Sequence, residues 1–464
     1  MPVKQRVQLD SPPKSNESHV EKSETTLAGP LARPKQAHFQ FRKTAKFHPY
    51  TVFDSPEWCN SQFYGFYVLF WVVIFTHNIR ILILNYMSSG QPLQMEIINT
   101  LLMDCWHVAL IDFFMYVLMY EAYILQKLVD KDIVNWDKWG WIFQHLYQTA
   151  FLAFFVVYAR VVNFPWIGRV FLALHALVQM MKMHSYAVFN GELHTLKKKV
   201  ENKEELPEFV AEQGDLVKHL LSLYPKNLNV KDFFMYTMYP TVVYELEFPR
   251  TDKIRWGFAG RKIIATLGTF VCMIVIAQQS LLPIVVQANA VRSTESLVTR
   301  AQQYPLIFLD VLPPFMIIYI LTFYIIWDAI LSSIAELTRY GDREFYRDWW
   351  NSSQWSKFAR DWNVPVHSFL QRHVYTSSRL FLNLSKVQAM MFTFVFSSLV
   401  HELAMWVIFR RIRGYLLLMQ LTQMPMQFIS QMAFFRSKPT LGLVMFWLGM
   451  AVGPAILCSL YLTF

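Results

Sequence analysis

The 464-residue chain is 54% hydrophobic, 16% aromatic and only 16% charged, whereas a soluble globular protein carries about a quarter charged residues. That composition excludes an ordinary soluble domain and points to a membrane protein. The net charge of +10 does not make it a nucleic-acid binder, because its basic residues flank apolar runs and form no continuous basic face; anionic headgroups or an anionic substrate account for it better.

In chain order, the first fifty or so residues are rich in Pro, Ser, Lys and Gln and too polar to bury a core. Residues 1–55 are read as a disordered cytosolic tail. "MPVKQRVQLDSPPKSNESH" has no apolar stretch of secretory-signal type, so the first spanning helix is expected to act as the insertion signal. Cys59, Cys105, Cys272 and Cys458 lie far apart, which suggests packing residues rather than disulfides or a zinc site.

A bilayer core of about 30 Å needs roughly 20 apolar residues per helix, and about nine runs qualify. They are Tyr64 to Met87, Ile97 to Tyr120, Trp141 to Ala159, Val170 to Phe189, Ile263 to Ala288, Leu306 to Ile334, Val387 to Phe409, Tyr415 to Phe435 and Leu443 to Phe464. With the N-terminus in the cytosol, most loop Lys and Arg fall on the cytosolic side, as they should. An odd number of spans then leaves the C-terminus in the lumen. Arg410, Arg411 and Arg413 stand against this pattern, on the lumenal side. Two long cytosolic insertions, 190–262 and 336–386, interrupt the runs. "PKNLNVKDFFMYTMYPTVVYELEFPRTDKIRW" in the first reads as a segment lying against the membrane.

Ionisable groups inside a membrane are costly and mark function or polar networks. The second run holds Asp104, His107 and Asp112, and the third Gln144, His145 and Gln148. The fourth places His175, Gln179 and Lys182 at helical spacing, and the eighth carries a stripe of Gln420, Gln423, Gln427 and Gln431. Singly, each reads as an interhelical hydrogen bond; together they argue for a polar chamber within the bundle. Gly449 and Gly453 in the last run read as close helix packing rather than dimerisation. The seventh run, "VQAMMFTFVFSSLVHELAMWVIF", holds His401 and Glu402 in apolar surroundings with Ser397 one turn earlier. A buried imidazole stays neutral and can accept a proton from an alcohol.

The second insertion contains "FYRDWWNSSQWSKFARDWNVPVH", a polar block with four tryptophans. Phe345, Tyr346, Asp348, Trp349, Trp350 and Asn351 match the FYxDWWN signature of the sterol and diacylglycerol acyltransferase branch of the membrane-bound O-acyltransferases. "WNVPVH" and "SSLVHELAM" resemble that family's asparagine motif and its histidine helix, and the likeness runs from the first span to the last residue. Within the branch, "ELTRYGDREFYRDWWN", "HELAMWVIFRRIR" and "SLYLTF" look most like fungal sterol O-acyltransferases.

The resemblance implies an all-α polytopic membrane protein, with about nine transmembrane helices around an intramembrane reaction chamber, in a domain covering 56–464. It implies His401 as catalytic base and Asn363 as the group that polarises the acyl thioester. Trp362, His367, Tyr375, Lys386, Ser397 and Glu402 are the expected acyl-CoA contacts. Acyl-CoA is a co-substrate, with no permanent cofactor and no metal. The partners are sterol, membrane lipid and further copies of the chain as a dimer or tetramer, and no nucleic acid. The location is the endoplasmic reticulum, and the product is a steryl ester, of ergosterol or its precursors, for lipid-droplet storage. Within the polar block, Trp349, Trp350 and Asp348 read as residues that lock the loop, while its Arg and Lys are expected to meet phosphates, as are Lys386 and Arg372. Alternatives are diacylglycerol as acceptor, a polytopic lipid transporter, or a catalytically silent scaffold.

Overall fold

The computed structural model describes residues 45–204, 214–294 and 296–464. Among them the regular structure is helical, with two isolated β-bridges, His48 to Asp342 and Arg250 to Tyr340. The main helices are α1 (Tyr64–Ser89), α2 (Cys105–Leu118), α3 (Glu121–Asp130), α4 (Trp141–Val161), α5 (Trp166–Glu201), α6 (Gly214–Leu223), α7 (Val230–Met238), α8 (Trp256–Ile276), α9 (Leu282–Thr294), α10 (Leu297–Phe323), α11 (Leu331–Leu337), α12 (Trp355–Asp361), α13 (Val364–Phe369), α14 (Ser377–Phe381), α15 (Lys386–Phe409), α16 (Tyr415–Ser430) and α17 (Pro439–Thr463).

Among the described residues seven stretches are both long and apolar enough to cross a bilayer: Tyr64–Ser89, Glu96–Asp130, Trp136–Val161, Trp256–Ser293, Leu297–Leu337, Lys386–Phe409 and Pro439–Thr463. The other two expected spans fall on α5 and α16. Helix α16 has 16 residues and an internal Pro425, and at 1.5 Å per residue it spans only about 24 Å. Helix α5 is long enough at 36 residues, but it buries Arg169, Gln179, Lys182, Asn190 and His194. It is the central post of the bundle, packed by α2, α3, α4 and α15. On the outer helices the large apolar side chains face outward, Trp106 86% and Met87 77% exposed among them. Apolar surface on this scale marks a chain solvated by lipid.

In the first insertion, the segment expected to lie against the membrane packs its aromatic side chains on α5. Phe233, Tyr236 and Tyr244 are buried in the same cluster as Tyr186 and Phe189 of α5, and Lys182 reaches across to bind the carbonyls of Tyr236 (3.2 Å), Thr237 (2.7 Å) and Tyr239 (2.7 Å). The aromatic residues meet one another, and a buried ammonium with three acceptors closes the turn. Buried charges are tolerated only with such satisfaction.

The expected tail also ends earlier than 55. Residues 1–44 lie outside the described residues, but 45–55 are built into the fold. The backbone amide of His48 donates to Gly341 (2.8 Å), that of Arg343 donates back to His48 (2.8 Å), and that of Ala45 donates to Glu245 (3.1 Å). Gly341 N–H in turn donates to Pro249 at 2.8 Å, so this segment stitches the two insertions together. An added Cβ at Gly341 would lie 3.0 Å from the Pro249 carbonyl, which makes glycine the residue that permits the approach. Cys59 and Cys105 are exposed, so the reading of the cysteines as packing residues fits only the half-buried Cys272 and Cys458.

Candidate active site

Helix α15 starts where a reciprocal cap fixes it. Ser385 Oγ accepts from the Gln388 amide (3.3 Å) and the Gln388 side chain accepts from the Ser385 amide (2.9 Å), a capping box. Four turns on, His401 Nδ1 lies 2.7 Å from the Ser397 carbonyl oxygen. A carbonyl oxygen can only accept, so Nδ1 carries a hydrogen, and in the neutral ring the lone pair is on Nε2. The ring is exposed on the isolated chain rather than enclosed between helices, which corrects the expectation of a buried imidazole. Beside it, α5 and α15 leave a small apolar cleft lined by Val170, Leu174, Leu177, Leu403, Ala404 and Val407.

Glu402, the next residue, points elsewhere. Its two oxygens accept from the backbone amides of Gly414 (2.8 Å) and Leu417 (3.1 Å), and Tyr461 OH donates to it at 3.3 Å. These are first-turn amides of α16, so the carboxylate caps that helix. Half-buried Ser397 contributes its carbonyl to His401, and Lys386 is exposed at the first position of α15.

Asn363 caps α13, its Oδ1 accepting from the Val366 amide at 3.2 Å. With the oxygen so engaged, the NH2 group has no partner among the described residues and is left to donate outward. No hydrogen bond joins Asn363 to His401. The chain continues from Asn363 through α13 into a π-helical turn, Leu370–Thr376, which packs on α15, and half-buried Tyr375 lies in that turn. His367 is mostly buried, and burial together with the positive Arg360 and Arg347 holds its imidazole below the usual range.

Of the expected acyl-CoA contacts, half-buried Trp362 lies among rings, at 4.8 Å from Phe323, 4.7 Å from Trp349 and stacked on Tyr319 at 5.3 Å. The signature block is built the same way. Phe345, Tyr346 and Trp349 are buried, Trp350 stacks on Phe53 at 5.1 Å and accepts the Trp447 indole N–H at 3.1 Å, and Asn351 is exposed. Two cations of the block, Arg347 and Lys357, are paired with carboxylates. Arg347 pairs with Glu344 (2.7 Å) and Asp361 (3.5 Å), and Lys357 with Asp348 (2.8 Å) and Asp361 (3.1 Å). Arg372 is buried, donating to the Tyr244 carbonyl at 3.0 Å and facing Glu245 at 3.6 Å. Arg347, Lys357 and Arg372 therefore already have carboxylate partners in the protein, which corrects the expectation that they are free to face phosphates.

Sequence reasoning missed the polar joint beneath the block. Asp328, on a π-helical turn (Tyr324–Ile330), is fully buried. Its carboxylate accepts from Tyr346 OH (2.7 Å), Thr51 OH (2.7 Å) and Lys262 Nζ, and Lys262 also binds Asp54 at 2.8 Å. A second joint sets Glu336 between Arg343 (2.6 Å) and Arg255 (2.9 Å). A lone aspartate in the apolar run "YIIWDAIL" was the available signal, by the same rule that singled out His401. Among the described residues no three or more His, Cys, Asp or Glu side chains gather as metal ligands.

An all-helical polytopic membrane protein with an outward-facing imidazole on one span and a capping asparagine on the cap-bearing insertion is the class these features define. The membrane-bound O-acyltransferase family profile matches residues 169–463, a range that holds every candidate site residue, and the chain belongs to that family; it is an acyltransferase. It is 39% identical to sterol O-acyltransferase 2 of Saccharomyces cerevisiae over 87% of this chain and 67% of that one. It is 36% identical to sterol O-acyltransferase 2 of Candida albicans, over 91% and 78%, and 28% identical to diacylglycerol O-acyltransferase 1 of Dictyostelium discoideum, over 88% and 63%. The chain thus spans about two thirds of the length of the Saccharomyces relative.

Proposed function

We propose that the protein is an acyl-CoA:sterol O-acyltransferase, with His401 as general base and Asn363 as the donor to the thioester oxygen. One observation supports the reading: the bond from His401 Nδ1 to the Ser397 carbonyl makes Nε2 the acceptor of the neutral ring, exposed on a helix long and apolar enough to cross the membrane. His401 Nε2 takes the 3β-hydroxyl proton as the sterol oxygen attacks the thioester carbonyl. The negative charge that develops on the carbonyl oxygen meets the Asn363 NH2. Collapse breaks the C–S bond, and the departing thiolate recovers the proton from the imidazolium, giving steryl ester and coenzyme A with no acyl-enzyme.

Sterol is favoured over diacylglycerol because the relatives at 39% and 36% identity bear sterol names, against 28% for the diacylglycerol enzyme. The reading extends to a catalytic domain over 56–464 with 45–55 packed onto it, a homo-oligomer in the endoplasmic reticulum with a cytosolic N-terminus and lumenal C-terminus, ergosterol or its precursors as acceptor, and steryl ester destined for lipid droplets. Exposed Lys386 and half-buried His367 and Tyr375 remain the acyl-CoA contacts in this reading.

The test is free-thiol release from acyl-CoA by purified protein offered sterol, diacylglycerol or no acceptor. Sterol-dependent release that falls by about 10² to 10⁴ in His401→Ala and by about 10² to 10³ in Asn363→Ala, with unchanged thermal unfolding, is the expected result. Release that depends on diacylglycerol alone, or that survives His401→Ala, overturns it.

A further inference from the structure

One ionisable pair on the bundle helices is neither used by the proposed chemistry nor enclosed by protein. Asp112 of α2 and His175 of α5 meet where the two helices pack, and His175 Nδ1 is hydrogen-bonded to Asp112 Oδ1. The helices run close together there, since a Cβ added to Gly168, two turns before His175, would lie 2.9 Å from the side chain of Val108, one turn before Asp112. A carboxylate accepts, so Nδ1 carries a hydrogen and the ring is oriented through that nitrogen. The other nitrogen, Nε2, has no hydrogen-bond partner among the described residues.

The pair stays accessible. Its side chains are 39% exposed for His175 and 23% for Asp112, and the rim beside them is apolar: Phe171, whose ring lies 5.6 Å from that of His175, Leu174 and Phe113 are all exposed. Asp112 belongs to the membrane-length stretch Glu96–Asp130, and His175 is about 14 Å from the start of α5 by helical rise. At that depth lipid rather than bulk water meets Nε2. An ionisable pair held inside a membrane marks a site of function, because its cost must be offset.

The chemistry of the pair selects its ligand. With the ring neutral, Nε2 accepts a hydrogen bond; with the ring protonated against the carboxylate, Nε2 donates one. A hydroxyl serves either form, whereas an ether or ester oxygen can only accept and fits the protonated ring alone. A phosphate is disfavoured by the carboxylate behind the ring. The exposed apolar rim suits the hydrocarbon body of a lipid. The site is separate from His401: Leu174 lines the cleft that α5 shares with α15, while the next residue, His175, turns to α2.

We infer that His175 and Asp112 form a binding site for the hydroxyl of a membrane lipid alcohol, a sterol or a diacylglycerol, distinct from the proposed acylating histidine. The test uses purified full-length His401→Ala protein in detergent without acyl-CoA, so that the hydroxyl contact of the proposed active site is absent and no turnover occurs. Equilibrium binding of radiolabelled ergosterol and, separately, of 1,2-dioleoylglycerol is measured in competition with the methyl ether of each. The alcohol should bind about fivefold more tightly than its ether, as the loss of one hydrogen bond implies. Each lipid whose alcohol shows that preference is a ligand of the site. The preference should vanish when His175→Phe is added or, should that protein not fold, His175→Met. Equal affinity for alcohol and ether with both lipids overturns the site, as does a preference that survives substitution of His175 in folded protein. Thiol release tests the proposed function and hydroxyl-dependent binding tests this site, so either can fail without the other.

Discussion

Tyr346, in the signature block, donates its phenolic hydrogen to the buried carboxylate of Asp328 at 2.7 Å, and the same carboxylate binds Lys262 from α8. One anion thus joins a polar loop, a π-helical turn in one span and the first turns of another. Removing a single member of such a joint leaves the others uncompensated. Lys262→Met, which strands both Asp328 and Asp54, should cost about 3–5 kcal/mol. Tyr346→Phe, which removes one of three hydrogen bonds, should cost about 1–3 kcal/mol. Thermal unfolding of the purified variants in one detergent checks both. A Lys262→Met protein as stable as wild type would show that the joint is not a structural anchor.

Glu402 makes a different prediction from its neighbour. Because its carboxylate caps α16 through Gly414 and Leu417, Glu402→Ala should lower the unfolding temperature, at a cost of about 1–2 kcal/mol for the lost cap. His401→Ala removes only a bond to its own helix and should leave that temperature unchanged. Parallel melting curves separate the two residues, and equal destabilisation would contradict the assignment.

How much of this was legible in the sequence depends on whether the partner of a residue was visible. Apolar runs disclose spans because lipid imposes a length on them, and seven of the expected stretches meet that test in the fold. Helix α5 falls short of that test because polar residues, Lys182 and Gln179 among them, interrupt its apolar spacing, and these face protein rather than lipid. The cations of the signature block misled for a related reason. Arg347 and Lys357 look free in sequence, and only the fold reveals Glu344, Asp348 and Asp361 beside them. His401 was legible as an isolated ionisable group, whereas the tautomer that makes it a base follows from the position of the Ser397 carbonyl.

The glycine pair Gly449 and Gly453 in α17 separates packing within the chain from packing between chains. A Cβ at Gly449 would lie 2.6 Å from the Trp355 ring, but one at Gly453 would meet only the flexible Met419 sulfur at 3.4 Å. Gly449→Ala should therefore destabilise the protein by about 1–3 kcal/mol, with Gly453→Ala within about 0.5 kcal/mol of wild type and neither altering oligomeric mass. Thermal unfolding combined with light scattering checks this. A change of mass in Gly453→Ala would instead make the pair an association motif.

His373 predicts the direction in which stability changes with pH. It lies in the Leu370–Thr376 turn, 2.8 Å from Ser185 Oγ, which itself accepts the Tyr244 amide at 2.8 Å. With one lone pair so used, the Ser185 hydroxyl still has its hydrogen to give to a neutral His373 Nε2. Burial, together with the neighbouring His184 and the positive Arg372, holds its imidazole well below the ordinary 6.5. A histidine depressed in the folded state contributes stability that is complete above its unfolded value and is lost as pH falls, because only the unfolded chain then takes up the proton. Below about pH 6.5 this one group should remove up to about 1.4 kcal/mol per pH unit. His373→Gln should melt lower than wild type at pH 7.5 yet lose less between pH 6.5 and 5.5. Parallel slopes for the two proteins across that interval would show that His373 is not the group responsible.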